Sequence, residues 1–188
     1  AMVNVGVGKA NLPVGSMFLL GILAGAFIGF GGLGNTVASQ TFANIDPGVA
    51  KLIGAAVFPV GLMLVIICGA ELFTGNNLMT LALMNNKITG GQMVKNWCVV
   101  WVGNLVGSIA LALIVFYGDV LTGDAATKAI AIAEGKAGLD IMTMILRGIL
   151  CNILVVLAVW MATSSQDIIS KIFSCWFPIM LFVLCGFE

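Results

Sequence analysis

Long apolar runs separated by short polar punctuation organise the chain. They extend from about Leu12 to Val37, Val49 to Met84, Met93 to Tyr117, Ile141 to Met161 and Ile168 to Phe187. Each is of the order of the roughly 20 residues that an α-helix needs to cross a hydrocarbon core. The pattern predicts an all-α integral membrane protein with five spans. The first run is too long and too late in the chain to be a signal peptide, and no small-residue cleavage site follows it.

The second run is interrupted. Val57 to Cys68 is continuously apolar, but Gly69-Ala70-Glu71-Leu72-Phe73-Thr74-Gly75-Asn76-Asn77 then places a carboxylate, a hydroxyl, two amides and two glycines where hydrocarbon is expected. Leu78 to Met84 resumes the apolar run. Irregular backbone at membrane depth survives only inside protein or against a wet cavity. A helix broken in mid-membrane is therefore predicted, and such breaks are where channels and transporters place their sites.

Two segments repeat. Phe58-Pro59 leads through an apolar run to Cys68-Gly69-Ala70-Glu71, and Phe177-Pro178 leads through a run two residues shorter to Cys185-Gly186-Phe187-Glu188. Gly21-Ile22-Leu23-Ala24 and Gly148-Ile149-Leu150-Cys151 show a similar offset, about 120 residues. The intervening spans are odd in number, so the halves run in opposite directions, as in inverted-repeat transporters and channels. The chain reads as one transmembrane channel domain over 1–188, with a first repeat over about 1–118 and an incomplete second over about 119–188. Five of six spans are expected within it, the rest lying beyond Glu188.

Composition narrows the function classes. Only 9% of the 188 residues are charged and 61% are hydrophobic, whereas soluble domains carry about a quarter charged residues. With zero net charge there is no basic excess to hold a phosphate backbone. A soluble enzyme and a nucleic-acid partner are both excluded. The five cysteines lie in apolar runs without a C-x-x-C pair and read as small buried hydrophobes. The absence of histidine removes His-based catalytic and metal motifs, and no cofactor or metal is expected. If the amino end is cytoplasmic, Lys9, Lys87, Lys95 and Lys171 fall inside and Lys51, Lys128 and Lys136 outside, an orientation the positive-inside rule favours slightly.

The segment Gly69-Ala70-Glu71-Leu72-Phe73-Thr74-Gly75-Asn76 closely resembles the signature of the formate/nitrite transporter family. Lys95-Asn96-Trp97 with Gly103-Asn104-Leu105-Val106-Gly107 is similar to its third span. Gly148 to Asn152 with Ala158-Val159-Trp160-Met161 resembles its fourth, and Gly186-Phe187-Glu188 resembles the start of its Gly-Phe-Glu-His motif. The resemblance implies an aquaporin-like fold with a pore in each protomer of a homopentamer. It implies that Thr74 faces the pore centre and that Lys136, sixteen residues before Asn152, stands in the vestibule. Phe73 and Leu62 match an inner hydrophobic constriction, and Phe58 and Phe182 an outer one. The pore histidine would follow Glu188.

Each assignment has a plainer alternative. Glu71 is the costliest residue, since a charge at helix centre costs about 3 kcal/mol on insertion scales. It reads either as a gate or as an acceptor for groups freed by the helix break, with the acceptor favoured and Glu188 inviting the same argument. Thr74 otherwise bonds a carbonyl one turn back, and Lys136 otherwise sits in a solvated loop over 118–140 beside Glu134 and Asp140. Arg147 is placed to snorkel. Gly21, Gly25 and Gly29 permit close helix approach within or between protomers. Gly29 to Gly34 matches G-x-G-x-x-G, but it ends a membrane span and is no dinucleotide site.

The implied function is a channel or transporter for small monovalent anions or their weak acids (formate, nitrite, hydrosulfide), not an enzyme, in the plasma membrane with its amino end cytoplasmic. Lys136 draws anions in, hydrophobic rings impose a desolvation barrier, and Thr74 with freed amides and the positive end of the short half-helix supply donors. The alternative is an aquaporin-like channel for neutral small solutes, which would carry Asn-Pro-Ala at its half-helix starts; this sequence does not.

Overall fold

The structure, a computed structural model, describes residues 1–187, the side chain of Ala43 apart. The described residues form helices α1 (Met2–Ala10), α2 (Val14–Ser39), α3 (Pro47–Val57), α4 (Val60–Cys68), α5 (Phe73–Asn76), α6 (Met79–Met84), α7 (Gly90–Tyr117), α8 (Gly123–Ala137), α9 (Ile141–Ser164) and α10 (Ile168–Cys185), with a short 3₁₀ turn at Phe42–Asn44. The segments α2, α3 with α4, α7, α9 and α10 are long and apolar enough to cross a membrane. This is an all-α multi-pass membrane protein.

The helix starts are written in side chains. Asp46 accepts hydrogen bonds from the Gly48 and Val49 amides, and Pro47 opens α3, where a missing N–H costs nothing. Thr89 and Gln92 form a reciprocal capping box at the head of α7. Asp140 and Asp167 cap α9 and α10 through the Thr143 and Ser170 amides. Pro59, unable to donate, separates α3 from α4. Pro178 is instead accommodated inside α10.

The closest helix pair is α2 against α7. A Cβ on Gly25 would lie 2.0 Å from the Asn104 carbonyl oxygen, and one on Gly107 would lie 1.9 Å from that of Ile22. Only glycine permits this approach, so Gly21 and Gly25 serve packing within the protomer. Around this pair α4, α9 and α10 close a core of small and branched residues, among them Ala24, Leu62, Val65, Ala158, Cys175 and Ile179.

Two elements depart from expectation. The stretch 118–140 is not a solvated loop, because α8 occupies most of it. Its alanines sustain a helix on propensity where too few apolar residues recur to mark a span. Residues 2–10 also form a helix, despite Gly6 and Gly8. Gly6 is what admits α1 against α6: a Cβ there would meet the Ala82 Cβ at 2.9 Å.

Candidate pore and helix-break network

The predicted break in the second span is present. After Cys68 the chain turns through Gly69 at φ +78°, a left-handed conformation natural to glycine, and the Ala70 amide reaches back to the Val65 carbonyl at 2.9 Å. Helix α10 ends the same way. Gly186 sits at φ +72° and the Phe187 amide reaches back to the Phe182 carbonyl at 3.0 Å. Both are helix-terminating glycine motifs with a six-to-one hydrogen bond.

Freed backbone groups must find partners. The Glu71 amide donates to the Leu20 carbonyl at 3.2 Å. The Phe73 amide donates to Asn104 Oδ1 at 2.9 Å, while Asn104 Nδ2 donates to the carbonyls of Gly21 and Glu71, each at 2.9 Å. One side chain thus ties the break to α2 and α7.

The Glu71 carboxylate, only 5% exposed, is also satisfied. Lys9 Nζ contacts its Oε1 at 2.6 Å and Asn76 Nδ2 donates to its Oε2 at 2.7 Å. Asn76 Nδ2 also approaches Asn96 Oδ1 at 2.8 Å, Asn96 Nδ2 donates to the Lys9 carbonyl at 3.3 Å, and Trp97 Nε1 donates to the Asn76 carbonyl at 3.1 Å. Glu71 therefore accepts from side chains, whereas the freed backbone amides of Ala70, Glu71 and Phe73 bond elsewhere. Sequence reasoning missed Lys9 as its partner. The signal available was the cation Lys9 one helix before the first span, with Glu71 the buried acid among the described residues.

Two cavities lie on either side of the central core. One, of ≈ 190 Å³, is bounded by Lys9, Glu71, Asn76, Leu72, Leu62 and Thr163, with Gly69 in its wall. The other, of ≈ 520 Å³, is bounded by Lys136, Asn35, Thr36, Phe58, Phe182 and Phe187, with Gly186 in its wall. Each glycine break therefore opens onto its own cavity. Between the two stand Leu62, 2% exposed, and the Phe58 and Phe182 rings, in edge-to-face contact with centroids 5.6 Å apart. Phe58 and Leu62 are one helical turn apart, so they present successive layers to any solute.

The structure thus brings Lys136, Phe58 and Phe182 to one cavity and Leu62 and Glu71 to the other. The cavity wall that holds Leu62 includes Leu72 and not Phe73. Phe73 faces α7, where its ring meets that of Trp97 with centroids 6.1 Å apart, and Leu72 lies beside Leu62 instead. Extended backbone at Leu72 turns consecutive side chains to opposite sides. Thr74 is half-buried beside Gly75, which borders the Lys9 cavity. Its hydroxyl makes no hydrogen bond among the described residues, unlike those of Thr36, Thr80 and Thr163, which bond carbonyls of the preceding turn. Asn152 is half-buried on α9 next to Cys151, which packs on the core. Glu188 lies outside the described residues.

A multi-pass helical protein with an interrupted span and two lysine-bearing cavities separated by an apolar layer has the architecture of a membrane channel or transporter. The family model described as Formate/nitrite transporter matches residues 1–188. The chain is 43% identical over 199 residues to a probable formate transporter of Methanothermobacter thermautotrophicus, covering 96% of this chain and 73% of that protein. It is 39% identical over 189 residues to the formate channel BtFdhC of Bacillus thuringiensis, covering 100% of this chain and 73% of the relative. Its fold matches a pentameric formate channel with formate bound at a TM-score of 0.84 and 35% identity, covering 93% of this chain and 70% of that one. The chain belongs to the formate/nitrite transporter family.

Proposed function

We propose that the chain forms a pore for small monovalent anions or their conjugate weak acids, with formate foremost and nitrite and hydrosulfide as candidates of the same class. In this reading it moves its substrate without converting it. It works as a homopentamer in the cell membrane, one pore per protomer, with the Lys9 end cytoplasmic. Residues 1–188 act as one channel unit whose halves meet near residue 118.

The observation that carries the reading is the apolar layer of Phe58, Leu62 and Phe182 between a cavity bearing Lys136 and a cavity bearing Lys9. Lys136 concentrates anions at the outer mouth. The apolar layer then imposes a desolvation cost that a bare anion crosses poorly and its protonated form crosses readily. Leu72 completes the inner constriction beside Leu62, with Phe73 bracing it from behind. Thr74 and Asn152 supply polar groups to the pore. The Glu71–Lys9 pair holds the break in shape and keeps the carboxylate from repelling an anion.

Uptake of labelled formate into proteoliposomes, with glycerol and water permeation measured alongside, tests the proposal. Formate uptake above that of protein-free vesicles, increasing as external pH falls, is expected. Glycerol permeation without formate uptake would support the neutral-solute alternative instead.

A further inference from the structure

A second hollow, of ≈ 240 Å³, adjoins the Lys136 vestibule and shares Asn35, Ile132 and Val183 with it as a common wall. Two lysines line this hollow, Lys51 from α3 and Lys128 from α8. Among the described residues neither is in an ion pair. The nearby Asp46 carboxylate is engaged at the head of α3 by the Gly48 and Val49 amides, at 2.7 and 3.1 Å. Asp124, one turn before Lys128 on α8, makes no ion pair with it. The Asn35 side-chain amide, in the shared wall, makes no hydrogen bond among the described residues.

Lys128, Ile132 and Lys136 stand at four-residue steps along α8, and residues so spaced share one helix face. The stripe runs from the lysine pair, over the common wall, to the vestibule lysine. Two like charges facing one hollow repel each other, and an anion between them relieves that repulsion. At the opposite mouth the arrangement differs, because Lys9 is neutralised by Glu71 at 2.6 Å. Lys51 and Lys128 are thus two cations without an ion pair among the described residues, one wall away from the vestibule.

We infer that the Lys51–Lys128 hollow is a loading site for a small oxyanion, a carboxylate of formate size. It captures the anion, with the Asn35 amide as a neutral donor, and passes it along α8 to Lys136. This rests on the anion-pore reading above and adds a site to it. The site acts on capture and leaves the barrier at the apolar layer untouched, so its effect belongs to dilute substrate.

The test is formate uptake against external formate concentration for wild type, Lys51→Met/Lys128→Met and Lys51→Arg/Lys128→Arg, in vesicles of neutral phosphatidylcholine. The methionine pair is expected to raise the half-saturating concentration about threefold or more, leave the maximal rate unchanged and flatten the dependence on ionic strength. The arginine pair is expected to retain wild-type values. An unchanged half-saturating concentration in the methionine pair overturns the inference, as does a loss confined to the maximal rate. An effect seen only when anionic phosphatidylglycerol is added also overturns it, by assigning the hollow to a lipid headgroup. Wild type that conducts no formate defeats the pore reading itself; wild type that conducts while the variants match it defeats only the loading site.

Discussion

Lys9 and Glu71, 62 positions apart, meet at 2.6 Å inside the helix break. The contact joins the amino-terminal helix to the one carboxylate that the sequence sets in the middle of the second span. Asn76 and Asn96 extend the network, so four side chains from three parts of the chain hold one irregular segment.

Removing one partner of this pair leaves a mostly buried charge uncompensated. Lys9→Met and Glu71→Gln are each expected to cost about 3 kcal/mol of stability. The double variant recovers most of that loss, since neither charge remains. Unfolding in detergent of the two single variants and the double variant, read as a double-mutant cycle, checks the coupling.

Asn104 carries three bonds, to the Phe73 amide and to the Gly21 and Glu71 carbonyls. Asn104→Leu keeps approximate size and strands all three groups, each costing on the order of 1–3 kcal/mol. Its expected signature is local: faster hydrogen exchange over residues 69–76, with α9 unaffected.

Glycine placement separates contact from exposure. Gly107→Ala drives a methyl into the Ile22 carbonyl at 1.9 Å, whereas Gly15→Ala meets nothing within 4 Å. The first is expected to cost about 2–3 kcal/mol by forcing α2 and α7 apart. The second is expected to be neutral or slightly stabilising through helix propensity. Thermal unfolding of the two variants side by side gives the comparison.

The Thr143 hydroxyl, and then its amide, hold the Asp140 carboxyl below its ordinary range. A lowered folded-state pKa means that the cap contributes fully above the ordinary carboxylate pKa and is lost as pH falls through the lowered value. Asp167 behaves likewise through Ser170. Protection from hydrogen exchange, relative to the intrinsic rate, is expected to be lost at the heads of α9 and α10 only in acid. Thr143→Val moves the onset at α9 to higher pH and leaves α10 unchanged.

The spans and the break were legible in the sequence because the bilayer demands continuous apolar helix, and Gly69 to Asn77 violates that demand in one place. The repeat was read from two Cys-Gly pairs, and the glycine of each pair, Gly69 and Gly186, has a left-handed backbone. Helix α8 was not legible, since an alanine-rich helix lying outside a span has neither the apolar length of a span nor a strong stripe. Phe73 and Leu72 were not separable, because which of two adjacent apolar side chains faces a cavity depends on the backbone angle at the break. Lys9 escaped notice because its partner is 62 positions away, and pairing at that range is set by tertiary packing alone.

In the proposed pore, anions pass between the two cavities through the layer of Leu62, Phe58 and Phe182. Formate uptake by wild type, Leu62→Trp and Phe182→Trp, each confirmed as intact assemblies by size-exclusion chromatography, tests this most directly. Wild type is expected to take up formate, and both tryptophan variants to fall to the rate of protein-free vesicles. Unchanged uptake in both assembled variants would contradict this route, because the anion would then be crossing elsewhere.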